Sequence, residues 1–278
     1  VGALAMSLAL TTLAAHAAGS EATGPAVSPT PTIVRHAGGG WQGRTYTNAT
    51  GAIANSIALG ARLIEIDLSP GADGHWHCLH DYREVLPAGH WLRHVDVWLQ
   101  RWYARAPRWA YPPPWVWPAE ASLRAWLAAD DARGAPRRCT LEEAAALASR
   151  ATGVQLVTDT KYDNHRLLER LAREPGDVFV PQVYNATEFA HAERLGFKRI
   201  IYTLYKRGDY TALKPLLDRP ALWKIVFPAS WLCSGSPAPP PLWLNDFRGE
   251  RLVHTVNPQD RLCPSAVRID GWYSDWAV

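Results

Sequence analysis

The chain has 278 residues, enough for one large domain or two ordinary ones, and α/β barrels commonly reach this size as a single unit. A net charge of +3, without a clustered Lys/Arg stripe, excludes a typical nucleic-acid binder, and no nucleic-acid partner is expected. Beyond the N-terminal segment no stretch is long and apolar enough to span a bilayer.

The first element is the apolar run "VGALAMSLALTTLAAHAAGS", closed by Ala15-His16-Ala17 in the small-x-small form of a signal-peptidase site. It reads as a signal segment over 1–19 that lacks its basic leader, and it predicts a secreted or periplasmic protein; an uncleaved N-terminal anchor is the other reading. Residues 20–32, rich in Pro, Ser and Thr, read as a linker, which leaves a domain over 33–278. Strand and helix patterns then alternate. "TIVRHAGG" (strand), "TNATGAIANSIALG" (helix), "RLIEIDLS" and "HWHCLHD" (strands) come first, followed by "TLEEAAALASRATG" (helix) and "VQLVTDTKY" (strand). After these come "NHRLLERLAREPG" (helix), "DVFVPQVY" (strand), "ATEFAHAERLGF" (helix), "RIIYTLY" (strand) and "DYTALKPLLDRP" (helix), and the strands "WKIVFPAS", "RLVHTVN" and "RIDGWYSDW" close the series. Repeated βα units imply a parallel sheet, and about eight strands imply a closed (β/α)8 TIM barrel, with a doubly wound open sheet as the alternative.

One stretch interrupts the alternation. Residues 82–138 hold seven of the fourteen tryptophans and sit between a strand and the next helix, where barrel loops face the active site. This insertion reads either as a small packed subdomain with tryptophans at its core, or as a lid or apolar platform that makes peripheral contact with a membrane or a substrate's leaving group. The four cysteines, at 78, 139, 233 and 263, allow three disulfide pairings and have no spacing suited to zinc. The expected pairing is Cys78 with Cys139 and Cys233 with Cys263, each closing a long excursion.

The strand ends carry the chemistry. Glu65 and Asp67 flank a single Ile, so their side chains point to one face, and two like charges so close are costly without a cation or basic partner. Thirteen residues after Asp67 comes His80-Asp81; His36 closes the first strand; Asp159 and Lys161 share a face by the same period of two. Three carboxylates, two imidazoles and a lysine would converge on one barrel mouth. Hard oxygen ligands favour Mg²⁺ or Ca²⁺ over zinc. A hard cation with open positions can hold a phosphate oxygen, while two imidazoles suit the proton transfers to and from an attacking and a leaving oxygen.

On these residues the chain resembles the glycerophosphodiester phosphodiesterase family. The matching elements are His36-Ala37-Gly38, Thr47-Asn48-Ala49, Glu65-Ile66-Asp67, His80-Asp81, "CTLEEA" (139–144), "TDTK" (158–161), "HTVN" (254–257) and "DGWYSD" (270–275). The resemblance implies a TIM-barrel phosphodiesterase with catalytic His36 and His80, a divalent cation on Glu65, Asp67 and Asp159, and substrate contacts from Lys161, His254 and Trp272. It implies a small phosphodiester or phospholipid-derived substrate. The departures are Ala37 for the family's Arg, Thr47 for Glu, His254 for Trp, and Asp159 for Glu. The Asp-x-Lys pattern is similar to that of the secreted phospholipases D of spider venoms, so a phospholipase D-like activity on intact or lyso-phospholipids is the alternative, as is a non-catalytic barrel that binds a phosphorylated ligand.

Overall fold

The computed structural model describes residues 27–276 except 73, 88, 104–116 and 206–208; the signal-segment reading therefore lies outside the described residues, as do Trp109 and Trp115. Nine strands form one sheet. They are β1 (Val27–Arg35), β2 (Leu63–Pro70), β3 (Trp76–Cys78), β4 (Gln155–Asp159), β5 (Phe179–Val183), β6 (Ile200–Thr203), β7 (Leu222–Pro228), β8 (Glu250–His254) and β9 (Ile269–Ser274). The sheet runs β1-β9-β8-β7-β6-β5-β4-β2-β3, and a further β1–β2 pairing closes it. All pairings are parallel except β2 with β3. The result is the expected eight-stranded parallel barrel, built from β1, β2 and β4 through β9.

Two differences from expectation have simple causes. "HWHCLHD" does not supply a barrel strand: β3 folds back antiparallel on the end of β2, because the "PGADG" turn between them is a hairpin connection too short for a parallel crossover. His80 thus sits on a hairpin arm at the mouth. The strand β1 also starts at Val27, inside the predicted linker, with Val27 paired to Ile269.

Among the described residues the helices are α1 (Thr50–Ala58), α2 (Leu92–Tyr103), α3 (Glu120–Ala132), α4 (Leu141–Ser149), α5 (Asn164–Leu171), α6 (Ala186–Arg194) and α7 (Asp209–Leu213). None is long and apolar enough to cross a membrane. The start of α4 is legible in "CTLEE": Thr140 accepts from the Glu143 N–H while the Glu143 carboxylate accepts from the Thr140 N–H, a capping box. Between β7 and β8 there are only 3-10 turns, and this segment is fastened by buried Arg251, whose guanidinium donates to the carbonyls of Leu244, Phe247 and Gly249 and to Asp270.

The interior has three layers, set by strand alternation. The middle is apolar: Val34, Leu63, Val157, Val180, Ile201, Val226, Leu252 and Tyr273. Two residues toward the strand starts lies a polar floor. There the Arg199 guanidinium donates to Gln155 Oε1 at 2.8 Å, and Lys224, 1% exposed, pairs with Glu250 and stacks 3.9 Å over Trp223. Two residues toward the strand ends lies the mouth.

Both disulfides pair as expected, Cys78–Cys139 and Cys233–Cys263, with Cα–Cα separations of 5.1 and 5.0 Å. The insertion packs on its own small core of Leu79, Tyr82, Leu92, Leu99, Trp117, Leu123 and Tyr162. Its tryptophans divide between the two readings: Trp117 is buried, Trp126 packs against that core, and Trp91, Trp98 and Trp102 are exposed.

Candidate active site

Glu65 and Asp67 project from β2 ahead of its hairpin with β3, and Asp159 from the end of β4; β2–β4 pairing sets Asp67 directly beside Asp159. One oxygen from each of the three carboxylates lies within 4.8 Å of the others. Glu65 and Asp67 are only 1% and 2% exposed. Burial pushes the Glu65 carboxyl well above the ordinary range, with Asp67 and Asp159 adding to it. Asp67 is raised in the same way, by burial and then by Asp159.

The carboxylates are only partly satisfied by the protein. The Ala37 N–H donates to Glu65 Oε2 at 2.6 Å, and Asn48 Nδ2 donates to Asp67 Oδ2 at 2.8 Å while Asn48 Oδ1 accepts from the Asp67 N–H. The Tyr184 hydroxyl donates to Asp159 Oδ1. Glu65 Oε1 is buried without a partner. Three converging hard oxygens, one of them orphaned, fit a divalent cation such as Mg²⁺ or Ca²⁺.

Two imidazoles flank this cluster, and each is held through Nδ1 by a carboxylate. His36 Nδ1 lies 2.7 Å from Asp275 Oδ1, with Nε2 3.9 Å from Glu65 Oε2; Asp275 is itself held by Asn257 Nδ2 at 2.8 Å. His80 Nδ1 lies 3.3 Å from Asp81 Oδ2 and 3.8 Å from Glu84 Oε1. Burial alone would lower the His80 pKa, but the hydrogen bond to Asp81 and the Asp67 charge outweigh it, and the net shift is upward. Between the two stands Tyr46, its ring 4.9 Å from His36 and 5.2 Å from His80.

The loop that bears Tyr46 is unusual in its backbone. Ala37, Gln42, Tyr46 and Asn48 all have positive φ (47, 50, 58 and 50°), a conformation that costs energy for non-glycine residues and clusters at functional sites. Gly39 (φ 90°) permits the turn out of β1, where a Cβ would come 2.4 Å from Ser56 Oγ.

The remaining expected site residues divide. Lys161 is half-buried beyond the end of β4, where its charge opposes protonation of His80. His254, at the end of β8, meets Tyr205 edge to face at 5.4 Å; its Nε2 is buried without a partner, and burial followed by the His36 charge lowers its pKa to about 4. Trp272 is not at the mouth. It pairs in register with Val253 and packs into the apolar layer between sheet and helices, so alternation turns its neighbour Tyr273 inward instead. The Tyr273 hydroxyl donates to Gln182 Oε1 at 2.8 Å, and Gln182 Nε2 donates at 3.3 Å to the Tyr184 hydroxyl that holds Asp159.

Asn48, Asn257 and Asp275 lie within quoted motifs but had no role assigned from sequence. Tyr273 lies in the quoted "DGWYSD" motif likewise, and Tyr46 and Tyr184 carried no signal beyond being aromatic.

A closed parallel barrel with clustered carboxylates and paired imidazoles at its C-terminal mouth is an α/β barrel of the TIM type. More narrowly, the chain has the fold of the glycerophosphodiester phosphodiesterases. It is similar to the glycerophosphodiester phosphodiesterase of Thermotoga maritima (TM-score 0.55, 14% identity, 88% of this chain and 94% of that chain covered). It is similar also to an Oleispira antarctica phosphodiesterase in complex with the product sn-glycerol-3-phosphate (0.55, 16%, 89% and 94%) and to a glycerophosphodiester phosphodiesterase from Parabacteroides distasonis (0.54, 15%, 91% and 94%). At these identities the likeness establishes the fold. No family model matches the chain, and no curated protein matches it.

Proposed function

We propose that the protein is an exported, divalent-cation-dependent phosphodiesterase that hydrolyses glycerophosphodiesters or related phospholipid head-group diesters, with peripheral membrane contact through its Trp-rich insertion. The observation that carries this reading is the buried Glu65–Asp67–Asp159 cluster, with its orphaned Glu65 oxygen, set between two carboxylate-held histidines. When bound, the cation neutralises charge on the phosphoryl oxygens of the transition state.

The chain's own residues supply the rest. Asp275 accepts from His36 Nδ1–H, which leaves Nε2 as the proton-accepting end toward the attacking oxygen. His80 is held likewise by Asp81, and the upward shift of its pKa favours the protonated imidazolium that would donate to the leaving alkoxide. Lys161 adds positive charge beside the departing group, and His254, neutral above about pH 4, offers a hydrogen bond to substrate. The two disulfides suit an oxidising compartment, which supports export.

A second reading has a specific observation behind it. Ala37 stands where the resembling family has a phosphate-holding Arg, and Asp159 gives the Asp-x-Lys pattern, which favours a phospholipase D-like enzyme on lyso- or intact phospholipids. A phosphorus NMR time course with glycerophosphocholine and lysophosphatidylcholine, with and without chelator, tests both. Metal-dependent loss of the diester is expected. A cyclic phosphate product would favour the second reading, and no turnover of any diester would remove catalysis altogether.

A further inference from the structure

We propose that the outer face of α2 is an anchor for a phospholipid bilayer surface, a deeper step that draws its purpose from the phosphodiesterase reading. Trp91, immediately before the helix, and Trp98 and Trp102 within it are 60, 54 and 37% exposed. At 100° per residue, positions 91, 98 and 102 fall within about 20° of one line along the helix. The Trp98 and Trp102 rings lie together at 5.1 Å. These three make up half of the exposed large apolar side chains among the described residues; Leu59, Tyr205 and Leu242 are scattered elsewhere.

The chemistry of the stripe selects its occupant. Tryptophan combines a broad apolar ring with an N–H donor and belongs where one end is apolar and the other wet, as at the head-group level of a bilayer. Arg101, exposed and about 60° to one side of Trp98 at the same 100° per residue, borders the stripe and complements lipid phosphates. A second protein is a poorer fit: three part-exposed tryptophans present a few hundred Å², short of the roughly 800 Å² per partner of a stable interface.

The stripe is also tied to the mouth. On the inner side of α2, fully buried Asp96 accepts from the Tyr162 hydroxyl at 2.5 Å and lies 3.4 Å from Arg83 Nε. Arg83 in turn grips Asp81, the partner of His80, and Tyr162 adjoins Lys161. The stripe therefore stands on a helix fastened to both loops that bear His80 and Lys161. A bilayer lying against it brings head-group diesters to the mouth.

The test is co-sedimentation of the full chain with vesicles of phosphatidylcholine, alone and mixed with phosphatidylglycerol. Wild type should bind both, and W91S/W98S should lose about tenfold or more in vesicle affinity, with circular dichroism unchanged. The conservative W91F/W98F should retain most of it, which separates lipid insertion from misfolding. L59S/L242S, which removes two equally exposed side chains elsewhere, should bind as wild type. Equal losses in that control, or wild-type binding abolished by salt and indifferent to W91S/W98S, would overturn the proposal. So would a sedimentation-velocity result in which W91S/W98S dissolves a dimer and leaves vesicle binding intact. Because vesicle binding is read without turnover, an inactive protein that still binds would sink the phosphodiesterase reading and leave the anchor standing.

Discussion

The two polar ends of the barrel interior are built on opposite principles. On the floor each charge has a partner: Lys224 has Glu250 and the Trp223 ring, and Arg199 has the Gln155 side-chain oxygen. At the mouth, about the same number of strand residues away from the apolar layer, three carboxylates face one another and one oxygen has no partner. A polar layer that satisfies itself closes a barrel, whereas one that repels itself is waiting for something else. Perturbed, unpaired groups in a buried site mark function better than polarity alone.

Four measurements would break or sharpen that contrast. The largest effect is expected at the imidazoles: His36→Ala and His80→Ala should each lower kcat roughly 10² to 10⁴-fold at saturating metal with melting temperature nearly unchanged. The double variant should be little worse than either single one, since groups acting in one displacement are non-additive. Retention of more than about a tenth of wild-type kcat by either variant would remove that histidine from the mechanism.

Next, Glu65→Gln should weaken Mg²⁺ or Ca²⁺ binding, read by calorimetry, by about tenfold or more. The same change should raise the urea stability of the metal-free protein by about 1 kcal/mol, because a neutral amide relieves like-charge repulsion at a buried site. A floor variant should behave in the reverse manner. Glu250→Gln strands a nearly buried Lys224 and should cost about 2 kcal/mol in urea, discounted because Glu250 is itself partly exposed, with activity unchanged. If both variants shifted stability in the same direction, the contrast between the ends would fail.

The smallest effect lies under the insertion. Burial pushes the Asp96 carboxyl up to about 6, against the donors Tyr162 and Gln100. A carboxyl whose pKa is raised on folding favours the native state below its unfolded value near 4, and loses that stability as pH rises through 6. Wild type should therefore gain about 1 kcal/mol between pH 7 and pH 5 from this group, and Asp96→Asn should flatten that part of the profile in paired urea titrations.

What could be read in the sequence was whatever is local. The Glu65-x-Asp67 spacing set two carboxylates on one face, and the βα alternation announced the barrel and placed His36 and Asp159 at strand ends. Relations across the chain were not legible. His36 is held by Asp275, 239 residues away, and Asp159 by Tyr184 just past the end of the neighbouring strand β5, and neither link leaves a periodic trace. The misplacement of Trp272 is a parity error: in "IDGWYS" two adjacent aromatics are equally good strand formers, and only the pairing of Val253 with Trp272 shows that Tyr273 is the one turned inward. The counting of β3 among the barrel strands failed for a related reason, since a short apolar run does not reveal the direction in which it pairs.

The bridge between Cys78 and Cys139, with the Arg138–Glu84 ion pair of 2.7 Å beside it, gives the insertion a narrow neck whose two ends are fixed 5.1 Å apart at their Cα atoms. With the ends so held, the entropy of closing the segment grows only logarithmically with its length, about 0.6 kcal/mol for each doubling. The barrel is therefore nearly indifferent to how much chain lies beyond the neck. The chain between Glu84 and Arg138, which leaves out His80 and Asp81, forms an interchangeable fitting on a fixed socket, one that can be lengthened, trimmed or replaced to suit a different surface while the chemistry beneath keeps its geometry.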